Sequence, residues 1–278
     1  MRSIDVGGRR ALARAVGGLG ATLLLALLVQ ACSGSRRGFF GDPDVQDAMT
    51  VYAATRAVDA AAALAVEAAL ARMDPAFPGL TPRPNVSTSG TSTQGEVRLD
   101  LGSASSSGTP FAGVTLRGEV TATFARSANQ ATVAIALGAL TAEADDLRFA
   151  DVGGSLSATV TFSGASATVV VTGQATLATN EVIVVTPNVT FGLTAAGAAV
   201  TAVSSNQHTV SSGLRGQWTV ALGTLSSQVE PQPRTTNTGS VGLTRTSGRG
   251  VTVTLIFTAP NRGTLTVSTS GVQESFRL

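Results

Sequence analysis

Hydrophobic and polar residues follow two different periods along this chain of 278 residues. Apolar and polar residues alternate at residues 96–101, 114–124, 156–162 and 251–257, among others. Strict alternation is typical of strands with one buried face and one face toward solvent. Turns rich in Gly, Asn and Ser separate these segments, and short turns join antiparallel neighbours. The pattern predicts an antiparallel β domain over residues 96–278, a meander of about ten to twelve strands.

Residues 42–74 precede the strands and follow a helical pattern. Asp42 can accept hydrogen bonds from the first free backbone N–H groups of a helix, and Pro43 suits the first helical position. No Gly or Pro occurs from Val45 to Met73, and alanine, the best helix former, dominates this stretch. The sequence therefore predicts one long Ala-rich α-helix.

The relation between this helix and the strands limits the fold. Residues 75–95 contain four prolines followed by Ser, Thr and Gly, which predicts a linker. About eleven strands, roughly 4.8 Å apart, make a sheet roughly 50 Å across, whereas one helix is about 10 Å wide. A flat sheet would leave most of its apolar face uncovered. We therefore expect a mainly β fold with a curled or barrel-like sheet and the helix packed on its concave side; a two-layer sandwich is the alternative.

The first 31 residues have the features of an export signal. Four arginines precede an apolar run that ends in a small residue. The stretch Leu28-Val29-Gln30-Ala31-Cys32 resembles the lipobox of bacterial lipoprotein precursors. The resemblance implies cleavage between Ala31 and Cys32, lipid on Cys32, and a tether over residues 32–41. By the family's sorting rule, Ser33 implies the outer membrane of a two-membrane bacterium.

Two alternatives for this N-terminal segment stay open: an ordinary cleaved signal with an incidental cysteine, and an apolar run retained as a membrane anchor. Cys32 is the only cysteine in the chain, so no intramolecular disulfide can form. Four of the nineteen basic residues and one of the seventeen acidic residues lie within residues 1–31. The remaining fifteen positive and sixteen negative side chains nearly balance, so no nucleic-acid partner is expected.

The rest of the sequence offers little catalytic chemistry. His208, the only histidine, lies in a polar segment and is predicted to be a surface residue in a turn. No Gly-x-Ser-x-Gly motif opens a helix after a strand, so we predict that the protein is not an enzyme and binds no cofactor. Trp218 is expected to pack in the core on one face with Leu214, Val220 and Leu222.

The sequence contains one acidic cluster, made of Glu143, Asp145, Asp146 and Asp151. Hard oxygen ligands at close spacing can hold Ca²⁺, which makes these four residues weak calcium candidates. The spacing lacks the regular Asp-x-Asp-x-Asp-Gly pattern. Solvated loop charges are the alternative interpretation.

Three functions follow from these features. The first is a non-enzymatic structural or binding β domain in the cell envelope, whose partner is the membrane, bound through lipidated Cys32. The second is a carrier or chaperone for an apolar ligand such as a lipid, with the curled sheet as the container. The third is an integral outer-membrane β-barrel. The first two differ in the interior of the sheet: a helix that fills it leaves no room for a ligand, and we expect it to be filled.

Overall fold

The computed structural model describes residues 42–77, 85–102, 114–195, 199–227, 236–259, 262–268, 271 and 273–277. Ala31, Cys32 and the predicted signal and tether lie outside the described residues. The chain divides into two compact units after Gln46. Of the first unit, residues 42–46 are described. There Asp42 Oδ1 accepts a hydrogen bond from the Asp44 N–H at 2.9 Å, as the predicted helix start requires.

The described residues form one helix and sixteen strands. The helix, α1, spans Pro43–Met73. The strands are β1 (Asn85–Gly90), β2 (Gln94–Asp100), β3 (Val114–Ser127), β4 (Gln130–Ala144), β5 (Leu147–Ser163), β6 (Ser166–Ala178), β7 (Val182–Thr186), β8 (Asn188–Thr194), β9 (Ala199–Ser205), β10 (His208–Ser212), β11 (Gly216–Leu222), β12 (Leu225–Ser227), β13 (Thr236–Arg245), β14 (Val251–Ala259), β15 (Arg262–Val267) and β16 (Gln273–Arg277).

All sixteen strands belong to one antiparallel sheet. Along β6, the pairing runs without a change of register from Ser166 opposite Thr194 to Ala178 opposite Val182. Strands β7 and β8 are therefore one long strand, interrupted at Pro187. In the same way, β9 and β10 follow each other along one strand position of the sheet, and β11 and β12 follow each other along the next. The sixteen strands thus occupy thirteen positions in which each strand lies beside its neighbours along the chain.

The prediction of a mainly β antiparallel meander with one helix packed on it is confirmed. The sheet is single, not a two-layer sandwich. Three of its positions were not expected from the sequence: β1, β9/β10 and β16. Strand β1 lies inside the stretch predicted as a linker, residues 75–95. Its polar sequence hides the alternation because this edge strand buries almost nothing.

A line of backbone irregularities crosses the middle of the sheet. Gly154 and Gly173 have φ values of 137° and 130°, which side chains other than glycine rarely adopt. A Cβ at Gly173 would lie 2.5 Å from the Ser155 carbonyl oxygen. Pro187 lies at the same level on the next strand, where it provides no N–H to the ladder. Such breaks bend strands and let a sheet curve.

The curved sheet encloses α1. Every residue from 51 to 70 is buried, so the helix is covered on all sides by the fold. Alanine side chains let the backbone of the helix lie close to the sheet. By length and composition α1 could cross a membrane, but its most apolar window is wholly buried inside the protein. The interior of the sheet is therefore occupied by the chain's own helix.

Ion pairs fix the N-terminal part of α1 to the sheet. Asp47 Oδ1 accepts from Arg215 Nη1 at 2.5 Å, and Asp47 Oδ2 accepts from Arg245 Nη2. Arg215 also pairs through Nε with Glu181 Oε1 at 2.7 Å. Arg215, in the β10–β11 turn, and Arg245, at the end of β13, thus contact the same helix carboxylate.

A second set of contacts fixes the other end of α1. Arg126 Nη1 donates to the Met73 carbonyl oxygen at 2.6 Å, and Nη2 donates to Asp74 Oδ2 at 3.0 Å. The Arg126 guanidinium lies 4.5 Å from the ring centroid of Phe162, which also contacts Phe77 edge-on. With both ends held, the helix is part of the β domain.

Candidate functional site

Charged side chains lie in the middle of the buried helix. Arg56, Asp59 and Glu67 are only 6%, 3% and 2% exposed. Burying a charge is costly unless the group is paired or changes its protonation state. The partners and the pKa shifts of these side chains therefore show how the fold accommodates them.

Arg56 is paired with a turn of the sheet. Its Nη1 donates to Asp145 Oδ1 at 2.5 Å, and its guanidinium lies 5.6 Å from the ring centroid of Tyr52. Burial lowers the pKa of Arg56, but the Asp145 and Tyr52 side chains outweigh it and the net pKa is raised. Asp145 and Asp146 form the two-residue β4–β5 turn with φ of 51° and 66°, a conformation that aspartate tolerates in hairpins.

The structure does not bring the four residues of the predicted acidic cluster together. No three His, Cys, Asp or Glu side chains in the described part of the chain are grouped to hold a metal ion. Asp145 pairs with Arg56 instead. Glu143 stands opposite Arg148 in the β4–β5 ladder, and Asp151 lies at the bulge of β5 with φ of 54°. Hairpin geometry separates residues that are close in sequence.

His208 is buried, and the prediction of a surface histidine is wrong. Its side chain is 0% exposed. Asn206 and Gln207, the two residues before it, form a one-residue bulge between β9 and β10, and His208 begins β10 facing inward. Its Nδ1 accepts a hydrogen bond from the Asn188 N–H at 3.3 Å, beside the break at Pro187. The imidazole thus accepts from a backbone N–H group at the interruption of this strand.

Asp59 faces the other nitrogen of this imidazole. His208 Nε2 and Asp59 Oδ2 lie 3.5 Å apart, within reach of an ion pair. Burial raises the pKa of Asp59 well above its ordinary value and lowers the pKa of His208 to about 4. The imidazole is therefore neutral at pH 7, and burial favours the protonated form of the Asp59 carboxyl group. Because Nδ1 accepts from Asn188, the imidazole proton is on Nε2, directed toward the Asp59 carboxyl group.

A small cavity lies beside Asp59. It measures about 20 Å³, and its polar lining comes from Tyr52, Thr55, Arg56 and Asp59. Asp59 Oδ1 has no hydrogen-bond partner among the described residues. A space of this size holds about one water molecule. Burial is also the main cause that raises the pKa of Tyr52, so the phenol stays protonated.

The arrangement of these groups favours a structural role over a catalytic one. The Thr55 hydroxyl donates to the Val51 carbonyl oxygen at 3.0 Å, so it is not paired with a general base as a nucleophile would be. His208 accepts from a backbone N–H on one side and faces the Asp59 carboxyl group on the other. The cluster connects α1 to the sheet at its centre.

Trp218 packs in the core, as predicted. It is 1% exposed, its indole Nε1 donates to the Arg215 carbonyl oxygen at 2.9 Å, and the Arg245 guanidinium lies 4.7 Å from its ring centroid. The expectation that Leu214 shares this apolar face is wrong. Leu214 is 69% exposed in the β10–β11 turn, before the alternation of β11 begins.

Sequence reasoning missed Asp59 and Arg56 as interior residues. A signal for them existed: charged side chains occur on α1 although its hydrophobic and polar residues do not separate into two faces. A helix without a polar face is buried all round. Its charged residues must then find partners in the sheet.

No family model, no curated protein and no solved structure matches this chain.

Proposed function

We propose that this chain is a lipid-anchored, non-enzymatic protein of the cell envelope. Its β domain has a structural or binding role and contacts partners through its outer face. The anchor is Cys32, at the end of the lipobox-like stretch Leu28-Val29-Gln30-Ala31-Cys32. One observation carries the non-enzymatic structural or binding role: α1 fills the interior of the sheet, and residues 51–70 are all buried. The outer face is therefore the surface available to partners.

The filled interior favours this role over that of a carrier. Ligand pockets measure roughly 300–1,000 Å³, whereas the cavity beside Asp59 measures about 20 Å³. A lipid chain would have to displace part of α1, which is held at both ends by ion pairs. The carrier function is therefore the second choice.

The direction of the alternation disfavours an integral membrane barrel. On β5, Ser155, Ser157 and Thr159 are exposed, whereas Leu156 and Val160 are buried. Barrels that cross a membrane place an apolar band outside, facing lipid. The outer side of this strand carries hydroxyl groups instead.

Fatty-acid labelling in cells tests the anchor. We expect label on the wild-type protein and on a Ser33→Ala control, and none on Cys32→Ala. The Cys32→Ala variant should also move from the membrane fraction to the soluble fraction. Each buried CH₂ of an acyl chain contributes about 0.8 kcal/mol, so a stable hold needs more than one chain. Label that persists in Cys32→Ala would contradict the proposal.

Extraction with organic solvent tests the filled interior. The Cys32→Ala variant is purified without detergent, and the extract is analysed by mass spectrometry. We expect no stoichiometric lipid in it. About one lipid per chain would support the carrier function, provided that Ala158→Phe on the inner face abolishes it and Ser157→Ala on the outer face does not.

A further inference from the structure

A groove of about 310 Å³ lies on the outer face of the sheet. It runs across β6, β7, β10 and β11 and ends at Thr246, just after β13. Thr209, Ser211 and Gln217, which line it, are exposed, whereas their neighbours Val210 and Trp218 are buried. The groove therefore opens away from α1 and has the volume of a small ligand site.

The lining of the groove is polar but carries no charge. Its side chains are hydroxyl groups, carboxamides and valines, with the inner-layer Trp218 beneath. Thr209 stands between Thr186 and Thr219 on the neighbouring strands, and Ser211 stands opposite Gln217. Adjacent strands are about 4.8 Å apart, so these pairs form two regular rows of hydroxyl and amide groups.

Part of this hydrogen-bonding capacity is unused within the protein. The hydroxyl groups of Thr186, Thr209 and Ser211 make no hydrogen bond to another described side chain or carbonyl group. A hydroxyl group both donates and accepts, and a carboxamide does the same through its two ends. The groove therefore presents donors and acceptors together, at fixed spacing.

These features exclude several kinds of ligand. With no cationic lining residue, the groove has nothing to neutralise a phosphate or a polyanion. With no carboxylate, it lacks the ligands that Ca²⁺ or Mg²⁺ prefers. All strands that form it are paired on both edges, so it offers no free edge for β-strand addition by a peptide.

We propose that the groove binds a neutral saccharide chain. Sugar hydroxyl groups donate and accept like the threonine and glutamine side chains that line the groove, and the absence of charge matches an uncharged ligand. Trp218 cannot stack on a sugar ring because it is buried and covered by the Arg245 guanidinium. Binding thus rests on hydrogen bonds, so each sugar unit contributes little and several units are needed.

Titration with uncharged oligosaccharides tests this proposal. The probes are maltohexaose and cellohexaose, added to the full chain in a detergent without a sugar headgroup, with a galacturonic acid hexamer as the charged comparison. We expect binding of at least one neutral hexamer and not of the charged one. Thr209→Val with Ser211→Ala removes two hydroxyl groups and should weaken this binding about tenfold.

A matched double variant controls for folding and for non-specific contacts. Thr159→Val with Ser157→Ala makes the same chemical changes on the exposed face of β5, outside the groove. This control should bind like the wild type. No binding of either neutral hexamer, equal binding of the charged hexamer, or an equal loss in the control would overturn the proposal. None of these outcomes bears on the Cys32 anchor, which fails or holds separately.

Discussion

Asp59 is the residue whose environment departs most from that of an ordinary surface carboxyl group. It lies on a buried helix, 3.5 Å from an imidazole that is itself neutral, and beside a cavity about the size of one water. Because burial raises its pKa, the folded protein keeps this proton to a higher pH than the unfolded chain does. The stability of the fold must therefore depend on pH through this residue.

We expect Asp59→Asn to gain stability over the wild type as the pH rises. The unfolded Asp59 releases its proton near pH 3.9, whereas burial raises the folded pKa well above that. Above about pH 4 the wild type therefore loses up to roughly 1.4 kcal/mol per pH unit until the folded pKa is reached. Asparagine does not titrate, so thermal melting of both proteins at pH 5, 7 and 9 measures this difference.

The contribution of His208 to stability changes with pH in the opposite direction. Its folded pKa of about 4 lies below the ordinary 6.5, so it costs stability as the pH falls from 6.5 to 4. Both proteins contain His208, so its contribution cancels in their difference. A difference in melting temperature that stays constant from pH 5 to 9 would show that Asp59 is ionised in the fold.

Gly173 is a residue at which any side chain should be costly. It has φ of 130°, and a Cβ would lie 2.5 Å from the Ser155 carbonyl oxygen. We expect Gly173→Ala to lower the free energy of unfolding by about 2 kcal/mol or more, measured by urea denaturation. Gly138→Ala is the control, because a Cβ there meets only the Glu119 carbonyl oxygen at 4.0 Å. Equal losses of unfolding free energy in the two variants would contradict the backbone strain expected at Gly173.

Among the elements of the fold, α1 is the one on which the stability of the sheet depends. Residues 51–70 are buried on every side, so removing the helix would expose the inner face of the strands around it. An isolated Ala-rich helix gains most of its stability from packing, so the two depend on each other.

A chain that starts at Thr91, without α1 and β1, should therefore melt at a lower temperature than a chain that starts at Ser33, or aggregate. Circular dichroism with heating and light scattering measure both effects. If the two chains have the same melting temperature, the helix is a stalk and not part of the core.

The elements show how far the sequence determines the fold. The alternation of apolar and polar residues predicted most strands, because each strand has one buried face. The alanine content and the lack of Gly and Pro predicted the long helix. The alternation missed β9/β10, because the bulge at Asn206 and Gln207 shifts the pattern by one residue. That shift also turned His208 inward. The pairing of Asp145 with Arg56 was not predictable either, since it joins residues 89 positions apart.

At the scale of the β domain, charged side chains are distributed unusually. Several lie between α1 and the sheet or at the end of the helix, as Arg56, Asp59 and Arg126 do. The middle of the outer face has none: residues 130–136, 155–161 and 168–174 contain no charged residue. Soluble proteins are designed with roughly 25–35% charged residues on the surface. This neutral face leaves little electrostatic repulsion between copies.

The meander also determines the order in which the protein can be completed. During synthesis, residues appear from the N-terminus onward, so α1 is made before any strand. Each strand then finds its partner in the strand made just before it, and no later segment has to thread between earlier ones. The helix nevertheless waits for strands made as late as β13, whose Arg245 pairs with Asp47. The chain therefore makes its core first and closes it late, and for that interval the Ala-rich helix must be shielded from other unfolded chains.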